Sequence, residues 1–168
     1  PMAARRCMPC WMRCDMRAGR NENGRPWTKN PMSSIQLDLT PLDNAIVRLD
    51  EGWTRYQRDV SDTQIRDGLI QHFEFTYEIS HKMLRRFLEL TSANPTEFDG
   101  MAFQDMIRTG NERGLLLGAW PAWRKYREMR ARTSHTYDEE VAIEVVKGIP
   151  AFPQEAVHLL QRLRAGIE

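Results

Sequence analysis

Beyond residue 14 the chain has no cysteine. Its three cysteines are Cys7, Cys10 and Cys14. No disulfide can therefore staple the remainder, which fits a reducing, cytoplasmic setting. No apolar run approaches the roughly 20 residues that a membrane-spanning helix needs. The 41% hydrophobic content is ordinary for a globular protein and low for a membrane protein. No segment alternates apolar and polar residues with a period of two, so the signature of half-buried strands is missing. A dominant charge of one sign is missing too. The 24 basic and 23 acidic residues give a net charge of +1, which argues against a uniformly basic nucleic-acid binder.

The near-balance is unevenly distributed. Residues 1–30 hold Arg5, Arg6, Arg13, Arg17, Arg20, Arg25 and Lys29 against Asp15 and Glu22, a net +5, which leaves −4 for the rest. Residues 21–31 (NENGRPWTKNP) form a polar, turn-rich stretch. We expect 1–31 to be a disordered basic leader and linker, and 32–168 to be one helical domain. The leader lacks the apolar stretch of about 7–15 residues that follows the charges of a signal peptide. Cys7 and Cys10 have the spacing of a zinc knuckle or redox pair. A structural zinc site needs four ligands, and no histidine lies near these three cysteines. No metal site is expected there.

The body reads as helices. Thr40, Pro41 and Asp43 suggest a helix start with Thr40 as the cap. Leu42, Ile46, Leu49, Trp53 and Tyr56 then follow at helical spacing, to an end near Asp59. Asp62 is positioned to cap a long helix reaching about Leu90. A shorter helix spans about 102–113, ended by Gly114, and an apolar connector of Leu115, Leu116 and Leu117 is expected in the core. Trp120 and Pro121 start a helix to about Arg132. Thr136 and Glu139 suggest a capping box for the last region, which Pro150 and Pro153 divide into about 137–147 and 153–165. The expected fold class is all-α: an up-and-down four-helix bundle with one or two additional short helices.

Candidate chemistry concentrates in residues 130–138 (RARTSHTYD). Arginine holds a phosphate with a fork of donors, and histidine moves a proton near neutral pH. Arg130 and His135 together could support phosphodiester cleavage through a 2′-hydroxyl, with His135 as acid or base and Arg130 steadying the charged transition state. The alternative is a polar interhelix turn in which Arg130 pairs with Glu128 or Asp138. On the long helix, Glu74, Glu78 and His81 share one face at i, i+4 and i+7. Phe73, Phe75, Tyr77 and Phe87 cannot all point one way. Core on one side and a dimer interface on the other explains them, and a groove accepting a nucleotide base is the alternative.

Glu78 with His81, and Glu155 with His158, are two E-x-x-H pairs. With Glu51 and either Glu112 or Glu128 they would compose a di-iron carboxylate bundle. Gln154, Gln161 and Arg162 instead place Glu155 and His158 on a solvated face, opposite Ala156, Leu159, Leu160 and Leu163. No cofactor is therefore expected.

Three stretches carry a family resemblance: residues 37–42 (LDLTPL), 66–84 (RDGLIQHFEFTYEISHKML) and 133–138 (TSHTYD). They resemble the nucleotidyltransferase substrate-binding protein family, and Arg130, His135 and Tyr137 resemble the R-x4-H-x-Y motif of the HEPN superfamily. The resemblance covers about 35–163. It implies a homodimeric four-helix bundle, the partner of a small, separately encoded nucleotidyltransferase in a toxin–antitoxin-like module. HEPN relatives with an intact motif act as metal-independent RNases on RNA. The resemblance makes Arg130 and His135 the site pair, and Tyr137 the hydroxyl that a partner transferase could modify with a nucleotide. Active motifs usually carry a polar residue directly after the arginine, where this chain has Ala131. That departure favours a non-catalytic partner over an RNase toxin.

Overall fold

The computed structural model describes residues 36–167. The expectations for Cys7, Cys10, Cys14 and the basic leader lie outside the described residues. Six α-helices occur among the described residues: α1 (Thr40–Tyr56), α2 (Thr63–Thr91), α3 (Phe103–Glu112), α4 (Trp120–Arg132), α5 (Glu139–Gly148) and α6 (Phe152–Ile167). Short 3-10 turns lie at Pro95–Phe98, Thr133–His135 and Ile149–Ala151. The architecture is an all-α bundle of four main helices, α1, α2, α4 and α6, with α3 and α5 as the shorter pieces.

Helix α2 is the spine. Its 29 residues span about 43 Å at a rise of ~1.5 Å each. Asp62 caps it as expected, its carboxylate accepting the N–H groups of Gln64 at 2.9 Å and Ile65 at 3.1 Å. Leu69, Ile70, Phe73, Tyr77, Leu84, Phe87 and Leu88 form its buried stripe. Thr76 and Ser80 interrupt the stripe and are fully buried. Their hydroxyls donate to the carbonyls of His72 and Thr76, each at 2.7 Å, so neither polar group is left unpaired.

Around α2 the core is aromatic. Phe152 meets Phe73 at 5.4 Å and Tyr126 at 5.0 Å between ring centroids, both edge-on. Trp123 packs edge-on against Phe152 at 6.1 Å. Offset and edge-to-face contacts of this kind suit ring quadrupoles. They join α2, α4 and α6 at one point.

Several local expectations change. Thr40 is the first helical residue rather than the cap; Leu39 takes that position, and Asp38 accepts the Thr40 N–H at 3.0 Å. Helix α1 ends at Tyr56, short of Asp59. Asp138, rather than Thr136, caps α5, accepting from Glu140 and Val141. The Thr136 hydroxyl instead donates to the Thr133 carbonyl. Leu115 and Leu116 are buried as expected, but Leu117 is exposed. Among the described residues, no helix is long and apolar enough to cross a membrane.

Candidate functional site

The end of α4 sets the site. Past Arg130 the chain tightens into the 3-10 turn because three hydroxyls recapture carbonyls that α4 leaves without partners. Thr133 donates to the Arg130 carbonyl at 2.8 Å, Ser134 to that of Ala131 at 3.0 Å, and Thr136 to that of Thr133 at 3.1 Å. Arg130 leaves the last turn of α4 and reaches α2. Its Nη2 lies 2.7 Å from Glu74 Oε1, its Nε 3.2 Å from Glu78 Oε1, and its Nη1 3.4 Å from Thr133 Oγ1. Glu78 also pairs with His81 Nε2 at 3.2 Å and faces Lys82 Nζ at 3.8 Å.

Glu78, His81 and Arg130 border a surface cavity of about 300 Å³, which Tyr77, Phe103, Arg127 and Ala131 also line. Arg127 stacks over the Phe103 ring at 5.3 Å, a cation–π contact. His81 meets the same ring edge-on at 5.7 Å.

Burial and charge tune the cluster in opposite directions. Burial pushes the Glu78 carboxyl up, but the hydrogen bond from His81 and the positive charges of His81, Arg130 and Lys82 outweigh it. The net shift is below the ordinary carboxylate value. Burial depresses the His81 imidazole, more than the bond to Glu78 restores it. His81 is therefore neutral at pH 7 and gives one ring N–H to the carboxylate. Burial also pushes the Tyr77 phenol up to about 12.

The residues expected at the site divide into two groups. Arg130, Glu74, Glu78 and His81 come together as one half-buried network. His135 and Tyr137 stand outside it, both exposed, with ring centroids 6.2 Å apart. Tyr137 is 88% exposed. Among the described residues, no hydrogen bond joins Arg130 to His135. Arg130 pairs with neither Glu128, which Arg124 holds at 2.8 Å, nor Asp138.

The two E-x-x-H pairs are not brought together with the further glutamates that a di-iron bundle needs. Glu155 is buried rather than solvated. Its carboxylate accepts the N–H groups of Leu117 at 3.0 Å, Gly118 at 2.8 Å and the Trp123 indole at 3.2 Å. Glu51, Glu112 and Glu128 are exposed. Among the described residues, no three His, Cys, Asp or Glu side chains are placed to hold a metal ion. Sequence reasoning missed the buried role of Glu155 because its polar neighbours Gln154 and Gln161 suggested a wet face. The cue was there in Ala156 and Leu159, which put position 155 at the edge of the apolar stripe. It also missed Arg127 with Phe103, whose pairing across two helices leaves no local pattern.

Residues 37–165 match the family described as "Nucleotidyltransferase substrate binding protein like". The chain is 36% identical over 141 residues to a Haemophilus influenzae protein described as a probable ribonuclease HepT. That match covers 79% of this chain and 96% of the relative. A solved Haemophilus influenzae structure, described as revealing the fold of a substrate-binding domain of a nucleotidyltransferase, aligns with a TM-score of 0.71 and 35% identity. The alignment covers 76% of this chain and 99% of that one.

Proposed function

The chain belongs to the nucleotidyltransferase substrate binding protein-like family, and from this premise we propose that it is the non-catalytic partner subunit of a separately encoded nucleotidyltransferase, working as a homodimer. The observation that carries this reading is the contrast between Tyr137 and Arg130. Tyr137 stands almost fully exposed between the 3-10 turn and α5, with its hydroxyl open to a second enzyme. Arg130 is held by two carboxylates of its own chain, Glu74 and Glu78, which offset the charge a phosphodiester would need.

In this reading the Tyr137 oxygen attacks the α-phosphorus of a nucleoside triphosphate bound by the partner enzyme. A phosphorus–oxygen bond to tyrosine forms, the α–β anhydride bond breaks, pyrophosphate leaves and the phenol proton passes to solvent. The product carries a new negative charge beside His135. The test is to incubate the protein with a small nucleotidyltransferase of the kind this reading requires and ATP, and to read the intact mass. One or more added nucleotides on the native chain, with none on Tyr137→Phe, is expected. An unchanged mass, or addition that survives Tyr137→Phe, overturns the assignment.

A second reading is favoured by the identity with the probable ribonuclease along nearly all of that protein's length. Here His135 is the proton-transfer group and Arg130 the anion-binding group of a metal-independent endoribonuclease, with two protomers contributing to each site. Cleavage of cellular RNA in the presence of a chelator, lost in both Arg130→Ala and His135→Ala, would establish this reading against the non-catalytic one.

A further inference from the structure

We propose that the groove between α1 and α2 is a nucleoside triphosphate site, with Arg48 and Arg55 receiving the phosphates and Phe75 and Ile79 the base. It stands apart from Arg130 and Tyr137 and needs no partner enzyme. Two surface cavities compose it. One, of about 270 Å³, is bordered by Arg48, Gly52, Arg55, Gly68 and His72. The other, of about 340 Å³, is bordered by Pro41, Ala45, Phe75 and Ile79 and shares Arg48 and His72 with the first. Joined there, they have the size typical of small-ligand pockets.

The groove follows from helical spacing. Arg48, Gly52 and Arg55 lie along one stripe of α1, and Gln64, Gly68 and His72 along the facing stripe of α2. A Cβ on Gly52 would sit 3.2 Å from His72 Cδ2, so the imidazole rests against the α1 backbone. A Cβ on Gly68 would meet nothing within 4 Å. That empty space is the floor of the cationic end.

Its charge is available. Among the described residues, no ion pair engages Arg48 or Arg55, although both are exposed. Of the two acidic side chains on the lining, Asp62 is already spent capping α2, and Glu51 is exposed. His72 senses the net field. Burial lowers its proton affinity first, and Arg48 and Arg55 lower it further against the opposing pull of Glu51. At the other end Phe75 leaves the core and shows 52% of its surface. An exposed ring at one end and, at the other, two guanidinium groups that no ion pair engages among the described residues complement a ligand that is both aromatic and anionic. A nucleotide has that chemistry; a bare phosphate or a nucleoside has half of it.

The test uses the full chain and calorimetric titration with ATP, with adenosine and tripolyphosphate as the half-ligands. Saturable ATP binding is expected, and both half-ligands should bind at least about tenfold more weakly. Arg48→Gln with Arg55→Gln should weaken ATP binding by about tenfold or more, the usual cost of losing charge-assisted hydrogen bonds. Gly68→Leu should abolish binding by filling the floor, in a variant whose helical fold is favoured by propensity. Arg108→Gln, which removes the same charge from α3, should change nothing. Absence of ATP binding to the native chain overturns the proposal. So does ATP binding unchanged in Gly68→Leu, which would place the nucleotide elsewhere, the basic N-terminal residues included. Tripolyphosphate binding as tightly as ATP would overturn the role of Phe75.

Discussion

The Glu155 carboxylate accepts the backbone N–H of Gly118 at 2.8 Å, across 37 residues of sequence. With the Leu117 N–H and the Trp123 indole on its other oxygen, it pins the α3–α4 connection to α6. A Cβ on Gly118 would come within 2.9 Å of that carboxylate and of the Ala122 Cβ, so the close approach needs glycine. Glu155→Ala would strand the buried Trp123 indole and leave the part-buried Leu117 and Gly118 N–H groups to solvent, and we expect it to lower stability by about 3 kcal/mol. Glu155→Gln keeps an acceptor for two of them but turns an amide N–H toward the third, for a loss of about 2 kcal/mol. Urea unfolding followed by tryptophan fluorescence measures both. Alanine at 155 with near-native stability would remove this role.

Gly114 closes α3 with φ +69°. Its N–H donates to the Asn111 carbonyl and that of Leu115 to the Gly110 carbonyl, each at 2.9 Å, the two bonds of a Schellman ending. Arg162 Nε donates to the Gly114 carbonyl at 2.9 Å. Gly114→Ala should cost about 1 kcal/mol from the left-handed backbone, and Gly114→Asn less. Equal stability of native and Gly114→Ala protein in thermal unfolding would contradict this.

Helix positions and most of the core were legible in the sequence because apolar spacing and glycine and proline signals are local. Asp62 and Gly114 act where those rules place them. Caps at Thr40 and Thr136 were misread by one or two positions because an aspartate two residues away takes an N–H at the helix start: Asp38 accepts that of Thr40 itself, and Asp138 accepts those of Glu140 and Val141. The burial of Glu155 and the partners of Arg130 escaped for a different reason. The partners of both residues lie on other helices, and only packing decides whether a charged side chain turns inward to meet them. The mutual engagement of Arg130, Glu74 and Glu78 joins two candidate sets that the sequence kept apart.

That network sets a pH response. His81 is held below its ordinary value of 6.5, chiefly by burial among Tyr77 and Phe103, with Lys82 and Arg85 adding to the depression and Glu78 opposing it. His72 is depressed similarly. The unfolded chain therefore binds protons that the folded chain resists. The stability these residues contribute is fully present above about pH 6.5 and is lost as pH falls through their lower folded values. Glu78, held below 4.5, adds a second loss at more acidic pH. We expect melting temperature to fall between pH 7 and pH 5, and less so in His81→Gln. Glu78→Gln should lower the His81 value further, measured from imidazole proton shifts. A His81 titration that rises in Glu78→Gln would reverse the assigned sign.

Charge distribution makes a last prediction, about binding to RNA. The chain's net +1 combines +5 in residues 1–30 with −4 in the rest. Counterion release rewards any Lys or Arg that neutralises a phosphate, whatever the fold around it. Replacing the seven basic residues of this segment by glutamine in the full-length chain should therefore remove most affinity for single-stranded RNA. The slope of log affinity against log salt should flatten by up to about 5, at ~0.7 for each lost phosphate contact. Arg130→Ala should change that slope by less than about 1, because Glu74 and Glu78 already occupy its guanidinium. RNA affinity and salt slope that persist in the glutamine variant but collapse in Arg130→Ala would move binding to the end of α4 and strengthen the ribonuclease reading at the expense of the partner reading.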